Sequence, residues 1–175
     1  MSIDLSWDRV PSPLGTILAV TDAETLRALD FEDVAPRMRR LLQLHYPSYE
    51  LRRGTDRLGV RAGLAAYFDG DVRAIETLPV ATSGTPFQLQ VWSQLRRIEP
   101  GTTISYGELA VRVGVVNGAR AVGLANGSNP IAIAIPCHRV IGANGKLTGY
   151  AGGIERKAWL LRHESHEVQL ACSRD

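Results

Sequence analysis

Helix punctuation in the second half constrains the fold of this chain more than any other feature. Thr85-Pro86-Phe87-Gln88 joins an N-cap threonine, a proline at the first helical position and a glutamine placed to close a capping box. Phe87, Val91, Leu95 and Ile98 then recur at helical spacing until Pro100-Gly101 stops the run. Ser105-Tyr106-Gly107-Glu108 repeats the capping-box pattern and opens a short helix that Gly114 ends. Past Val115 to Gly118 the sequence predicts a third helix, from Ala119 to about Asn126. Two short helices joined by a tight turn predict a helix-turn-helix, and Ala110 before Gly114 suits one. In the third helix Ala119, Ala121, Gly123 and Ala125 are small, and Arg120 is the only charge. Such a surface fits either a second helix of the same protein or a DNA groove probed by Arg120.

The first half reads as a small α/β unit. Pro11 to Gly15 predicts a turn before an apolar strand, Thr16 to Val20. Leu26 to Phe31 alternates as a half-buried strand does. Met38, Leu41, Leu42 and His45 fall at helical spacing, as do Leu64, Tyr67 and Phe68. Leu78 to Gly84 reads as a linker, dividing the chain into an α/β domain over 1–80 and a mostly helical domain over 85–168. With 175 residues and 45% apolar content, both can be packed. No apolar run reaches the roughly 18 residues of a membrane span, and Met1 to Trp7 lacks a signal pattern, so the expected location is the cytoplasm. Residues 1–85 carry 10 Arg against 12 carboxylates, net −2, whereas residues 86–175 carry 10 Lys and Arg against 6, net +4. A polyanion is therefore expected on the second half.

Reactive chemistry points to one place. Ile131 to Ile135 is a short apolar run, predicted as a buried strand, and delivers Pro136-Cys137-His138-Arg139. The only other cysteine, Cys172, lies near the tail, and no set of ligands at zinc spacing occurs. A nucleophilic cysteine needs a cation or base beside it, and His138 and Arg139 supply both types. In a strand, residues 137 and 138 would face opposite sides, so either the chain turns here or a water relays the proton. Glu164, expected just past a last helix from Ile154 to about His163, is the candidate to orient the histidine. Its other reading is a solvated carboxylate at a helix end.

Pro136-Cys137-His138-Arg139-Val140 resembles the active-site signature of the O6-alkylguanine-DNA alkyltransferases. The resemblance runs from about Thr85 to Glu164 and takes in Ser105-Tyr106-Gly107, Ala119-Arg120-Ala121-Val122-Gly123 and Asn129-Pro130. It also takes in Gly149-Tyr150-Ala151-Gly152-Gly153 and Trp159 to Glu164; Tyr67-Phe68 and Thr77-Leu78-Pro79 extend it more loosely to the first half. It implies a ribonuclease H-like N-terminal subdomain and a single-turnover enzyme that moves alkyl groups from O6 of guanine, and from O4 of thymine, to Cys137. His138 would draw off the thiol proton through a water, held by Glu164. Tyr106 would rotate the nucleotide and protonate the leaving base, and Asn129 would brace the turn. Arg120 would fill the gap left by a base flipped through the minor groove, with Ala119, Ala121, Gly123 and Ser105 along the DNA. Tyr150, Ala151, Gly152 and the Val140 carbonyl would line the base pocket. The resemblance implies double-stranded DNA as partner, a monomer, no cofactor and no metal, since no cysteine precedes Cys137 to hold the zinc of some relatives. Where some relatives have a pocket-narrowing proline this chain has Ala132, and Ala151 stands where others have serine. Three other readings are an alkyltransferase-like binder, which would have tryptophan in place of Cys137, a helix-turn-helix regulator and a cysteine hydrolase.

Overall fold

A computed structural model describes residues 2–172, with side chains through Val168. The side chain of Cys172 lies outside the described residues. The chain divides into two compact units: Met1–Ser83 with Pro130–Ala134, and Gly84–Asn129 with Ile135–Asp175.

The first unit is built on a four-stranded sheet of β1 (Ile3–Val10), β2 (Ile17–Thr21), β3 (Leu26–Phe31) and β4 (Tyr49–Arg53), in the order β3-β2-β1-β4. Strands β1, β2 and β3 pair antiparallel, and β4 joins β1 in parallel. Two helices belong to this unit, α1 (Ala35–His45) and α2 (Val60–Phe68). Met38, Leu42 and Tyr46 pack with Leu5, Leu18, Val20 and Ala28, a face set by the two-residue period of the strands. The half-burial expected of β3 does not hold: every residue of it but Arg27 is buried. Its outer edge is covered, since Leu26 pairs with Val80 and Leu29 with Ile131. Covering an edge satisfies backbone groups that would otherwise template aggregation. The stretch read as a linker therefore contributes Val80 to the sheet edge. Asp30, buried inside β3, is matched by Arg37 at 2.6 Å.

The second unit contains α3 (Pro86–Leu95), α4 (Tyr106–Arg112), α5 (Ala119–Gly127) and α6 (Ile154–Cys172), with a short parallel pair, β5 (Ile104–Ser105) and β6 (Val140–Ile141). Both capping boxes form: Thr85 and Gln88 cap each other, as do Ser105 and Glu108. Gly114, at φ +75°, ends the turn after α4, where glycine carries no Cβ penalty. Trp92 Nε1 donates to the Ala125 carbonyl at 2.9 Å and ties α3 to α5.

Two expectations are corrected here. Residues 131–135 form no strand; apart from the single Ile131 bridge they make turns, with Ile133 at φ +67° and the Ala134 N–H bonded to the Ala132 carbonyl at 2.8 Å. A short apolar run reports burial, not period, and burial is what it has. The last helix does not end near His163 but continues to Cys172, because neither glycine nor proline follows to stop it. Glu164 thus sits inside α6 at 0% exposure and is no solvated helix-end carboxylate.

Candidate active site

After Pro136 the backbone closes one tight helical turn, Cys137–Arg139, in which all three side chains are buried. The chain turns here, as one of the two sequence alternatives required, so Cys137 and His138 are not held on opposite faces of a strand. Asn129, itself buried, anchors the approach by donating from Nδ2 to the Ile135 carbonyl at 2.8 Å.

Beneath the turn lies α6, whose Lys157, Leu160 and Glu164 share one fully buried face at helical spacing. Glu164 Oε1 lies 2.8 Å from His138 Nε2. Arg139 donates from Nε to Oε2 at 2.9 Å and from Nη2 to Oε1 at 3.0 Å, while its Nη1 reaches the Ile98 carbonyl at 2.5 Å. Burial pushes the Glu164 pKa up, but His138 and Arg139 outweigh it and hold the carboxyl far below the usual carboxylate range. An ionised carboxylate only accepts, so Nε2 of His138 carries the hydrogen and Nδ1 of a neutral ring is left as an acceptor. That Nδ1 is buried and has no hydrogen-bond partner among the described residues. The arrangement can take a proton from a neighbouring group directly or through one water.

Tyr106 opens α4 and stands near the turn, its hydroxyl donating to the Thr148 carbonyl at 3.2 Å. Burial raises its pKa and Cys137 adds to that, against lowering by the Thr148 carbonyl and the Asn126 amide. Lys157 and Asn126 escaped the sequence reading. Lys157 is fully buried, its ammonium on the carbonyls of Val140 (2.6 Å) and Thr148 (2.9 Å) and 5.9 Å from the Tyr106 ring centre. Burial lowers its pKa, opposed by the neighbouring Cys137. Nothing in a lone Ile154-Glu155-Arg156-Lys157 signals such burial; only its spacing from Leu160 and Glu164 does. Asn126 donates from Nδ2 to the carbonyl of Cys137 at 3.4 Å.

The remaining positions spread along the same unit. On α5, Val122, Ala125 and Asn126 are buried while Ala119, Arg120 and Ala121 are exposed, so one face packs inward and the other is open. Gly123 lies against Tyr106: an added Cβ would stand 3.7 Å from its ring. Ser105 Oγ is engaged as the α4 cap, accepting from the Glu108 N–H at 3.1 Å. Tyr150 is half-buried, Ala151 exposed, and the Gly152 carbonyl accepts from Arg156 at 3.0 Å. The fully buried Val140 already offers its carbonyl to Lys157. Among the described residues no cluster of metal ligands occurs, and no helix is long and apolar enough to cross a membrane.

A buried cysteine next in sequence to an imidazole that an ionised carboxylate holds has the component groups of an activated thiol. Comparison with known proteins makes this specific. A family model described as "6-O-methylguanine DNA methyltransferase, DNA binding domain" matches residues 86–166. A methylated-DNA–protein-cysteine methyltransferase of Shigella flexneri is 49% identical over 162 residues, covering 91% of this chain and 95% of the relative. One of Salmonella typhimurium is 50% identical over the same length and shares. Among solved structures, Mycobacterium tuberculosis OGT in complex with DNA superposes with a TM-score of 0.76 at 39% identity over 94% of each chain. The chain belongs to the family of methylated-DNA–protein-cysteine methyltransferases.

Proposed function

We propose that this protein repairs DNA by transferring an alkyl group from O6 of guanine to Cys137, once per molecule. The observation that carries the reading is the His138–Glu164 contact, which leaves Nδ1 of His138 as a buried acceptor next in sequence to the cysteine. In the reaction the thiol proton passes through a water to Nδ1, and the thiolate attacks the saturated carbon. The S–C bond forms as the C–O bond breaks, and Tyr106 gives its proton to the departing base. The product is a thioether, which no described residue is placed to cleave. The same chemistry extends to O4-alkylthymine, whose alkyl group is also carried on an enolised carbonyl oxygen. No cofactor is required, because the lesion is the alkyl donor.

The target atom is inaccessible within stacked DNA, so the base leaves the helix to be reached. In this reading α4, the Gly114 turn and α5 act as a helix-turn-helix on the minor groove. The exposed Arg120 fills the vacancy, with Ala119, Ala121, Gly123 and Ser105 along the backbone. Tyr150, Ala151, Gly152 and the Val140 carbonyl hold the extruded base, and Asn129 steadies the acceptor turn. Residues 85–168 do the chemistry, and residues 1–80 form a supporting domain whose β3-β2-β1-β4 order suits a ribonuclease H-like sheet. The protein acts as a cytoplasmic monomer. Incubation with duplex DNA carrying O6-methylguanine, followed by intact-mass analysis, should add one methylene mass per protein, on Cys137. Cys137→Ser should bind DNA but not react, because a hydroxyl ionises too reluctantly. Repeated turnover, or label elsewhere, would end this reading.

A further inference from the structure

Asn126 is a polar residue in a place where the fold gains nothing from polarity. It is buried, and its Oδ1 has no hydrogen-bond partner among the described residues. The orientation is fixed, since the opposite one would set Oδ1 against the Cys137 carbonyl that Nδ2 now reaches at 3.4 Å. A leucine of similar size would remove an unsatisfied oxygen, so stability does not explain an amide here.

Its surroundings do. An amide nitrogen has two hydrogens, and the Cys137 carbonyl takes one over a long distance. The second neighbour of the amide is Tyr106: Gly123, one helical turn before Asn126 on α5, lies against that ring, where an added Cβ would stand 3.7 Å away, and the amide helps lower the phenol pKa. The Tyr106 hydroxyl spends its own hydrogen on Thr148, the carbonyl that Lys157 also holds. The phenol oxygen is thus held by an acceptor on one side, the Thr148 carbonyl, and its ring packs on the helix that carries the amide. We propose that Asn126 is a positioning residue for transfer, donating to the phenol oxygen of Tyr106 and steadying the phenolate formed when that proton moves to the leaving base. As the C–O bond of the lesion breaks, its electron pair goes to the guanine, the phenol proton goes to a guanine ring nitrogen, and the negative charge left on Tyr106 faces the Asn126 N–H. Solvent later returns the proton. This rests on Tyr106 being the acid of the proposed function.

Two electrophiles test it. O6-Methylguanine in saturating duplex DNA needs its leaving group protonated, whereas iodoacetamide expels iodide without a proton. Asn126→Leu should slow transfer from the lesion about 10- to 100-fold, the worth of a hydrogen bond to a charged group, and change iodoacetamide alkylation of Cys137 by less than about twofold. In a Tyr106→Phe background the same change should add nothing further, because its route is gone. Asn126→Ala, read alongside with melting temperatures, serves if the leucine variant folds poorly. Equal slowing toward both electrophiles would make Asn126 a mere support of the Cys137 turn and overturn the proposal, as would additive losses in the double variant. If Tyr106→Phe alone transfers at the normal rate, the acid reading of Tyr106 fails, and with it the role of Asn126.

Discussion

Glu164 takes three bonds from two buried donors, one from His138 and two from Arg139, and its loss would strand both. Removing one member of such a set costs about 3–5 kcal/mol, since the remaining charge stays desolvated. Glu164→Gln should therefore unfold at lower urea concentration and transfer alkyl groups about 100-fold more slowly or worse, the imidazole having lost its orienting anion. The carboxyl is held below its ordinary pKa, so its contribution is full above about pH 4.3 and drains away as the pH falls below that. Urea midpoints at neutral pH and near pH 3.5 should differ more in the native protein than in Glu164→Gln; parallel lines would contradict the linkage. From the sequence, Glu164 is a candidate to orient the histidine by its place near the last helix, but its burial is not legible, because a carboxylate among Arg162, His163 and Ser165 looks solvated. Lys157 and Asn126 were illegible for the same reason. Burial of a polar side chain is decided by what packs over it, not by its own type.

Elements with local causes were legible, and those with distant causes were not. The capping boxes at Thr85 and Ser105 and the stop at Gly114 read correctly, since their hydrogen bonds close within three or four residues. Strand β4 went unread because its partner is β1, reached only across α1 and the intervening strands. The turns at 131–135 were mistaken for a strand because apolar runs carry no period. Helix α5 packs one face inward, with Ala125 against Trp92, and leaves Arg120 in the open. The open face makes a prediction of its own. If Arg120 replaces an extruded base, Arg120→Ala should slow repair of duplex DNA far beyond the roughly fivefold loss of one surface contact. Reaction with free O6-alkylguanine, which needs no extrusion, should be nearly unaffected. Equal slowing on both substrates at unchanged melting temperature would rule out the filling role.

At the scale of the whole molecule, charge says how DNA is held. Net charge is only +2, and the surplus of the second half is modest. Arg120 is the only charge on α5, while Leu124 on the same helix is 70% exposed. An apolar, sparsely charged surface suits shape recognition, and each neutralised phosphate adds roughly 0.9 to the log–log salt slope. Binding to duplex DNA should show a slope shallower than about −6; a steeper one would mean a phosphate footprint this surface does not supply.

Every residue from 129 to 140 is buried, although before Val140, the first residue of β6, the stretch holds only a bridge, some turns and a single tight helical turn. A β-branched residue, Ile133, is kept there at φ +67°, a conformation it adopts only when its surroundings dictate it. Amides such as Ala132, bonded to the Leu29 carbonyl at 2.8 Å, and Cys137, bonded to that of Ile135 at 2.8 Å, are sealed from solvent. In deuterated water they should exchange as slowly as the amides of the central strands, only when the protein opens globally. The segment that bears the reactive thiol would then be among the last parts of the chain to move, and rapid local exchange there would show that its irregular backbone is loose after all.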